Sequence, residues 1–221
     1  MESLNSQPMT LNPVSRISFQ ATGGDDALDM DEAWAILSGP ERIRAARFHF
    51  ERDRHRWVRG RAWVRQQLGP ALGLLPESVE IAAEPGGRLY IPGAALDFNL
   101  SHTGSWIALG ICQGGRLGVD LETIDPAVPA REIASEFFLP AERDWIAAGP
   151  VDRFFHLWTA KEALMKATGR GLSLAPDKIR VNIRNGTPST VTNLETGETH
   201  PVNTRPGPGS TILATVHLRT P

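Results

Sequence analysis

The sequence predicts an α+β fold of two similar, pseudo-symmetric lobes, each with a helix packed on antiparallel strands. Three observations lead there. Two long helical segments, Glu51–Leu68 and Asp152–Thr168, sit in different halves of the chain. Each is followed by short stretches in which apolar and polar residues alternate, the period of a strand. Gly86-Gly87, Gly114-Gly115 and Asn185-Gly186 punctuate those stretches as turns. No sequence repeat accompanies this recurring order, and the division it implies is 1–116 and 117–221.

Residues 1–13, mostly polar with Pro8 and Pro13, read as a loose tail. Val14 to Ala21 alternates Ile17, Phe19 and Ala21 and reads as a strand that Gly23-Gly24 ends. Asp29 or Asp31 can cap a short helix through Leu37. Gly39 stops that helix, and Pro40 suits the first turn of the next. In Glu51–Leu68 the apolar side comes from Trp57, Ala62, Val64 and Leu68. Gly60 costs that helix about 1 kcal/mol against alanine, which points to close packing there. Residues 69–77 are a Gly/Pro-rich turn region. Val79–Ala83 and Arg88–Ile91 make a hairpin around Pro85-Gly86-Gly87. Phe98–Ser101 is a strand, and mostly apolar Trp106–Cys112 a buried one. Gly114-Gly115 turns the latter back into Arg116–Glu122 as a hairpin. Glu132–Phe138 and Ala141–Ala148 read as helices interrupted by Pro140. The remainder is β-like: Ile179–Ile183, Ser189–Thr192 and Thr211–Leu218, with Pro206–Gly209 as a loop.

The 221 residues suffice for a real core, and a formal charge of −2 gives no bulk argument for nucleic acid. A single cysteine, Cys112, excludes an internal disulfide or a multi-cysteine zinc site and fits a reducing compartment. No run of about eighteen apolar residues predicts a membrane span. The N-terminal stretch lacks the basic start and apolar core of a signal peptide, so a cytoplasmic protein is expected.

Candidate chemistry begins at Leu117–Glu122. On a strand, Asp120 and Glu122 share one face about 7 Å apart, with Val119 and Leu121 on the other. Such alternation is commonly a solvated strand face, but paired hard oxygens also suit Mg²⁺. Downstream, Glu162 and Lys166 stand four apart on a helix, either a surface salt bridge or a third acid with a phosphate partner. Ser101 and His102, as strand neighbours, face opposite ways and so do not form a nucleophile–base pair. His102 is either a structural histidine or a donor to a phosphate oxygen. Nine arginines between Arg42 and Arg65 form a salt-bridged helix face, a phosphate grip, or, with Trp57 and Trp63, a base-stacking surface. No P-loop, G-x-G-x-x-G or G-x-S-x-G is present.

In order along the chain stand Pro40-Glu41, Arg47-Phe48, Asp53-Arg54-His55-Arg56 and Gly60-Arg61. Then come Phe98-Asn99-Leu100-Ser101-His102-Thr103-Gly104, Gly118-Val119-Asp120-Leu121-Glu122, Phe137-Phe138 with Glu142, and Trp158-Thr159-Ala160-Lys161-Glu162-Ala163 through Lys166, Gly169, Gly171 and Leu172. This series resembles the 4′-phosphopantetheinyl transferases of the larger, surfactin-synthetase-activating type, over about residues 36 to 175. The resemblance implies a monomer of two similar lobes that moves the 4′-phosphopantetheine arm of coenzyme A to a serine of an apo acyl or peptidyl carrier protein, releasing adenosine 3′,5′-bisphosphate. Residues 1–116 would supply nucleotide contacts, and 117–221 the metal site and carrier contacts.

By motif, the resemblance makes Asp120, Glu122 and Glu162 the ligands of Mg²⁺ (or Mn²⁺). It makes Glu142 the acid that takes the serine proton, and Lys166 with Lys161 the charge on the leaving side. His102 matches the histidine at the coenzyme A 3′-phosphate; Ser101, Arg44 and Arg56 match other cofactor contacts, and Arg42 lies one residue off another. Gly86-Gly87-Arg88 replaces the relatives' Gly-Lys-Pro, so either Arg88 beside Gly86 stands in for the lysine missing at Gly87 or that contact is lost. No nucleic-acid or membrane partner is expected. Two other readings stay open: a non-catalytic carrier-protein or RNA-binding module on the same fold, and a Mg²⁺-dependent phosphohydrolase of coenzyme A or nucleotides.

Overall fold

The computed structural model describes residues 15–22 and 28–219. The expected N-terminal tail, the Gly23-Gly24 turn and Val14 of the first strand lie outside the described residues.

The first half begins with β1 (Ser15–Ala21), followed by α1 (Met30–Ile36), α2 (Gly39–Ala45) and α3 (Glu51–Leu72). Asp29 caps α1 by accepting from the backbone N–H of Asp31 at 2.8 Å. Gly39 opens α2 rather than ending α1: Glu41 reaches back to accept from the Ser38 N–H at 2.9 Å and the Ser38 hydroxyl at 3.0 Å. The long helix α3 runs past its expected end, with Pro70 inside its last turn and Gly73 in the left-handed region closing it. Gly60 lets α3 approach its sheet: an added Cβ would stand 2.6 Å from Ile107 Cδ1. Two-residue strands β2 (Ala82–Ala83) and β3 (Leu89–Tyr90) form the expected hairpin, shorter than its alternation suggests. Strands β4 (Leu96–Thr103) and β5 (Trp106–Gln113) follow, and β1, β5 and β4 make an antiparallel three-stranded sheet in that order.

The second half starts with β6 (Arg116–Thr123), then α4 (Ala130–Phe137), α5 (Pro140–Ala147) and α6 (Asp152–Thr168). Strands β7 (Ile179–Arg184), β8 (Thr187–Asn193), β9 (Thr199–Pro206) and β10 (Thr211–Leu218) complete a five-stranded antiparallel sheet, ordered β6-β10-β9-β8-β7. Helix α6 packs on that sheet through Leu157, Ala160, Leu164 and Met165, all buried. Both halves thus place a long helix on an antiparallel sheet, although the sheets have three and five strands.

Two expectations are corrected. Strand β6 is not the return arm of a hairpin with β5; it pairs with β10, Asp120 opposite Ala214. Gly114 and Gly115, both at positive φ, do turn the chain, but into the second sheet. Strand β9 was not foreseen: its polar sequence and two prolines disguise a strand of which only Val202 is buried.

As the end strand of its sheet, β6 presents unpaired backbone groups, and side chains of β4 cover them. Asp97 Oδ2 accepts from Leu117 N at 2.7 Å, Asn99 Oδ1 from Val119 N at 2.8 Å, and Thr103 Oγ1 from Thr123 N at 3.2 Å. Alternate β4 residues share one face, so the strand's period of two supplies the regular rungs. The sheets therefore meet along a seam of side-chain-to-backbone bonds.

Candidate active site

The site grows from the contact between α6 and β6. A Cβ on Gly118 would stand 1.8 Å from Ala163 O, so only glycine allows the helix backbone to lie on the strand. That approach brings Lys166 against Asp120. The Asp120 carboxylate is almost wholly buried; its Oδ1 accepts from Lys166 Nζ at 2.6 Å and from Ser101 Oγ at 2.9 Å. Lys166 Nζ also donates to Ser101 Oγ at 2.8 Å. Ser101 belongs to the β4 face that makes the seam, but its hydroxyl reaches the Asp120 carboxylate instead of a backbone N–H.

Asp120 Oδ2 is buried with no hydrogen-bond partner, a demand for a cation or donor that the protein itself does not meet. Glu122, which accepts from Thr103 Oγ1 at 3.3 Å, is pushed up to about 7 by burial and then by the Asp120 charge. Burial followed by the same Asp120 charge raises Glu162, with Lys166 opposing. The three acids therefore feel one another, and they carry the hard oxygens Mg²⁺ prefers. They do not already converge as a cage: among the described residues, no group of three or more His, Cys, Asp or Glu side chains is disposed to hold a metal.

Ser101 lines one cavity and Lys166 another. One, about 390 Å³, is lined by Arg44, Arg56, Trp57, Arg61, Ser101 and His102. The other, about 270 Å³, is lined by Gly86, Arg88, Leu100, Met165, Lys166 and Gly169. Leu100 touches both. Of the expected cofactor contacts, Arg44, Arg56, Ser101 and His102 thus share the larger cavity, and Gly86 and Arg88 the smaller.

Four assignments need correction. Arg42 is not in either cavity lining; its guanidinium is spent on the Trp34 and Ala35 carbonyls, at 3.1 and 2.9 Å. Glu142 is not placed as a base. It is buried in an ion pair with Lys161 at 2.7 Å and accepts from Leu139 N and Val181 N. Lys161 is likewise buried, donating to the Pro176 and Ile179 carbonyls at 2.9 and 2.8 Å. Burial pulls its ammonium down from the usual lysine range while Glu142 opposes that shift, and the pair braces α5, α6 and β7 rather than facing a ligand. Arg88 does not replace the missing lysine as a free cation, because its guanidinium is buried against Asp97 and the Lys166 and Leu117 carbonyls.

Trp57 lies in the larger cavity although none of the family stretches contains it, and Arg61 of the Gly60-Arg61 stretch lies there too although no contact was assigned to it. Arg44 and Arg61 each sit 5.5 Å from the Trp57 ring, and Arg61 Nη1 is buried without a partner. The arginine and tryptophan clustering at helical spacing was the available signal.

Comparison with known proteins follows the two halves of the fold. A profile of the 4′-phosphopantetheinyl transferase superfamily matches residues 116–216, and one of the N-terminal part of 4′-phosphopantetheinyl transferases matches residues 27–113. A 4′-phosphopantetheinyl transferase of Bacillus subtilis is 34% identical over 159 residues, covering 70% of this chain and 70% of the relative. The 4′-phosphopantetheinyl transferase HetI of Nostoc sp. is 35% identical over 63% of this chain and 62% of its own length, a little under two thirds. The 4′-phosphopantetheinyl transferase Sfp of Bacillus subtilis is 30% identical, covering 67% of each chain. The chain belongs to the 4′-phosphopantetheinyl transferase family.

Proposed function

We propose that this enzyme transfers the 4′-phosphopantetheine arm of coenzyme A to a serine of an apo acyl or peptidyl carrier protein, with Mg²⁺ (or Mn²⁺), releasing adenosine 3′,5′-bisphosphate. The observation that carries the reading is the buried, half-partnered Asp120 carboxylate gripped by Lys166 and Ser101, each of which lines one of the two cavities. An acid held there without a partner on Oδ2 suits a cation that a diphosphate shares. Asp120, Glu122 and Glu162 would hold that Mg²⁺, which supplies charge neutralisation and a template for the diphosphate.

The protein's own groups do the positioning. Arg44, Arg56 and His102 surround the larger cavity with donors suited to phosphate oxygens, and Trp57 offers a ring for a purine. Lys166 brings positive charge to the point where charge develops on the leaving oxygens. Glu142, buried in its pair with Lys161, would brace the fold rather than accept the serine proton. Residues 1–116 supply nucleotide contacts and 117–221 the metal and carrier contacts, in a cytoplasmic monomer. No helix among the described residues is long and apolar enough to cross a membrane.

The test is incubation with coenzyme A, Mg²⁺ and several apo carrier proteins, read by intact-protein mass spectrometry. One phosphopantetheine arm is expected on the carrier serine. No mass gain on any carrier, while calorimetry shows coenzyme A bound, would sink the reading and favour a binding module. Hydrolysed coenzyme A without a labelled carrier would favour the phosphohydrolase.

A further inference from the structure

We propose that Arg88 and Asp97 form a buried clasp that positions Lys166, fixing its backbone from the opposite lobe so that its ammonium reaches Asp120. The inference rests on the transferase reading for its catalytic consequence, but not for the clasp itself.

The Arg88 side chain is 3% exposed and that of Asp97 15%, so neither serves as an ordinary surface charge. Arg88 Nη1 donates to the Lys166 carbonyl; Nη2 donates to Asp97 Oδ2 and to the Leu117 carbonyl at 3.0 Å. Asp97 Oδ2 also accepts from Leu117 N at 2.7 Å. One guanidinium, from the residue just before β3, thereby joins the β2–β3 turn to β4, β6 and the last turn of α6. The last carbonyls of a helix lack the usual partner four residues on; that of Lys166 accepts from the capping Gly169 N–H at 3.2 Å and from Arg88, and a cation there also opposes the negative end of the helix dipole.

Packing shows that the contact is built around the helix end. A Cβ on Gly86 would lie 2.7 Å from the Gly169 carbonyl, so the turn between β2 and β3 presses directly on the end of α6. Beside it, Arg116 pairs with Glu84 at 2.9 Å. A Cβ on Gly169 would meet Glu84 Oε2 at 2.8 Å and Arg116 Nη2 at 2.9 Å. Lys166 is held at both ends: its carbonyl by Arg88, its ammonium by Asp120 and Ser101. The planar arginine fork can serve Asp97 and two carbonyls together, which a lysine ammonium cannot do in the same geometry.

The experiment compares wild type with Arg88→Lys, and with the double variant Arg88→Met/Asp97→Leu. The double variant replaces the buried pair by apolar volume and so keeps a folded protein available if the single change unfolds. The first readout is the rate of reductive methylation of the Lys166 amine, followed by peptide mass spectrometry well below the unfolding temperature. A severalfold faster rate is expected in both variants. The second is turnover with a carrier, where a misplacement of an ångström can cost about 10²-fold in rate. A fall in kcat at unchanged KM for coenzyme A is expected, and the loss should vanish in a Lys166→Met background, because coupled residues are non-additive. A folded variant with unchanged Lys166 methylation overturns the clasp. A loss that adds in full to that of Lys166→Met overturns positioning through Lys166. If wild type transfers to no carrier, the transferase reading falls, and methylation alone still decides the clasp.

Discussion

Burial, more than residue type, separates the acids and bases of this protein by role. Glu142 and Lys161 satisfy one another and five backbone groups away from solvent. Removing one partner leaves an uncompensated buried charge. Glu142→Ala or Lys161→Ala should therefore lower stability by about 3–5 kcal/mol in urea unfolding. A base at position 142 would instead show a large drop in kcat for Glu142→Gln with little change in stability. Cys112 is a second buried group with a measurable consequence. Burial raises its thiol from 9.0 to about 11, with the Asp97 charge as a smaller cause. A thiol that ionises later in the folded state leaves stability intact below pH 9. As pH rises from 9 toward 11 the unfolded chain gains by ionising first, so that stability is lost. Iodoacetamide should label native Cys112 far more slowly than urea-unfolded protein at pH 8; equal rates would contradict its burial.

Among the elements, the α6–β6 contact governs the site. Gly118→Ala forces the Ala163 carbonyl away from the strand and should cost about 3 kcal/mol or more, by overpacking. It should also weaken the grip of Lys166 on Asp120. Gly39→Ala is the control. It sits at the start of α2 with open space around its Cβ position, and should be neutral or stabilising by up to about 1 kcal/mol in the same unfolding assay. If Gly118→Ala proves as mild as Gly39→Ala, helix and strand are not in backbone contact. The long helices were readable from periodicity, because each buries a stripe at helical spacing. Strand β9 was not, since a mostly solvated strand with prolines carries no apolar alternation.

For the molecule as a whole, the seam between β4 and β6 decides how the two sheets meet. Asn99 Oδ1 takes the Val119 N–H out of reach of water, so Asn99→Leu leaves that donor unsatisfied. The expected loss is about 1–3 kcal/mol, with faster hydrogen exchange at Val119 than at the helix α3 core. Unchanged exchange at Val119 would show that another group replaces Asn99. The sequence by itself determined the α+β class, the long helices, the alternation that places Asp120 and Glu122 on one strand face, and the family. Those follow from local period and from motifs whose residues stand close in the chain. Only the tertiary structure decided that β6 leaves β5 for β10, that Glu142 and Lys161 are sealed from the site, and that Arg88 turns inward to Asp97. Each depends on which distant groups share a buried space, and desolvation there fixes a charged side chain's partner whatever its motif implies.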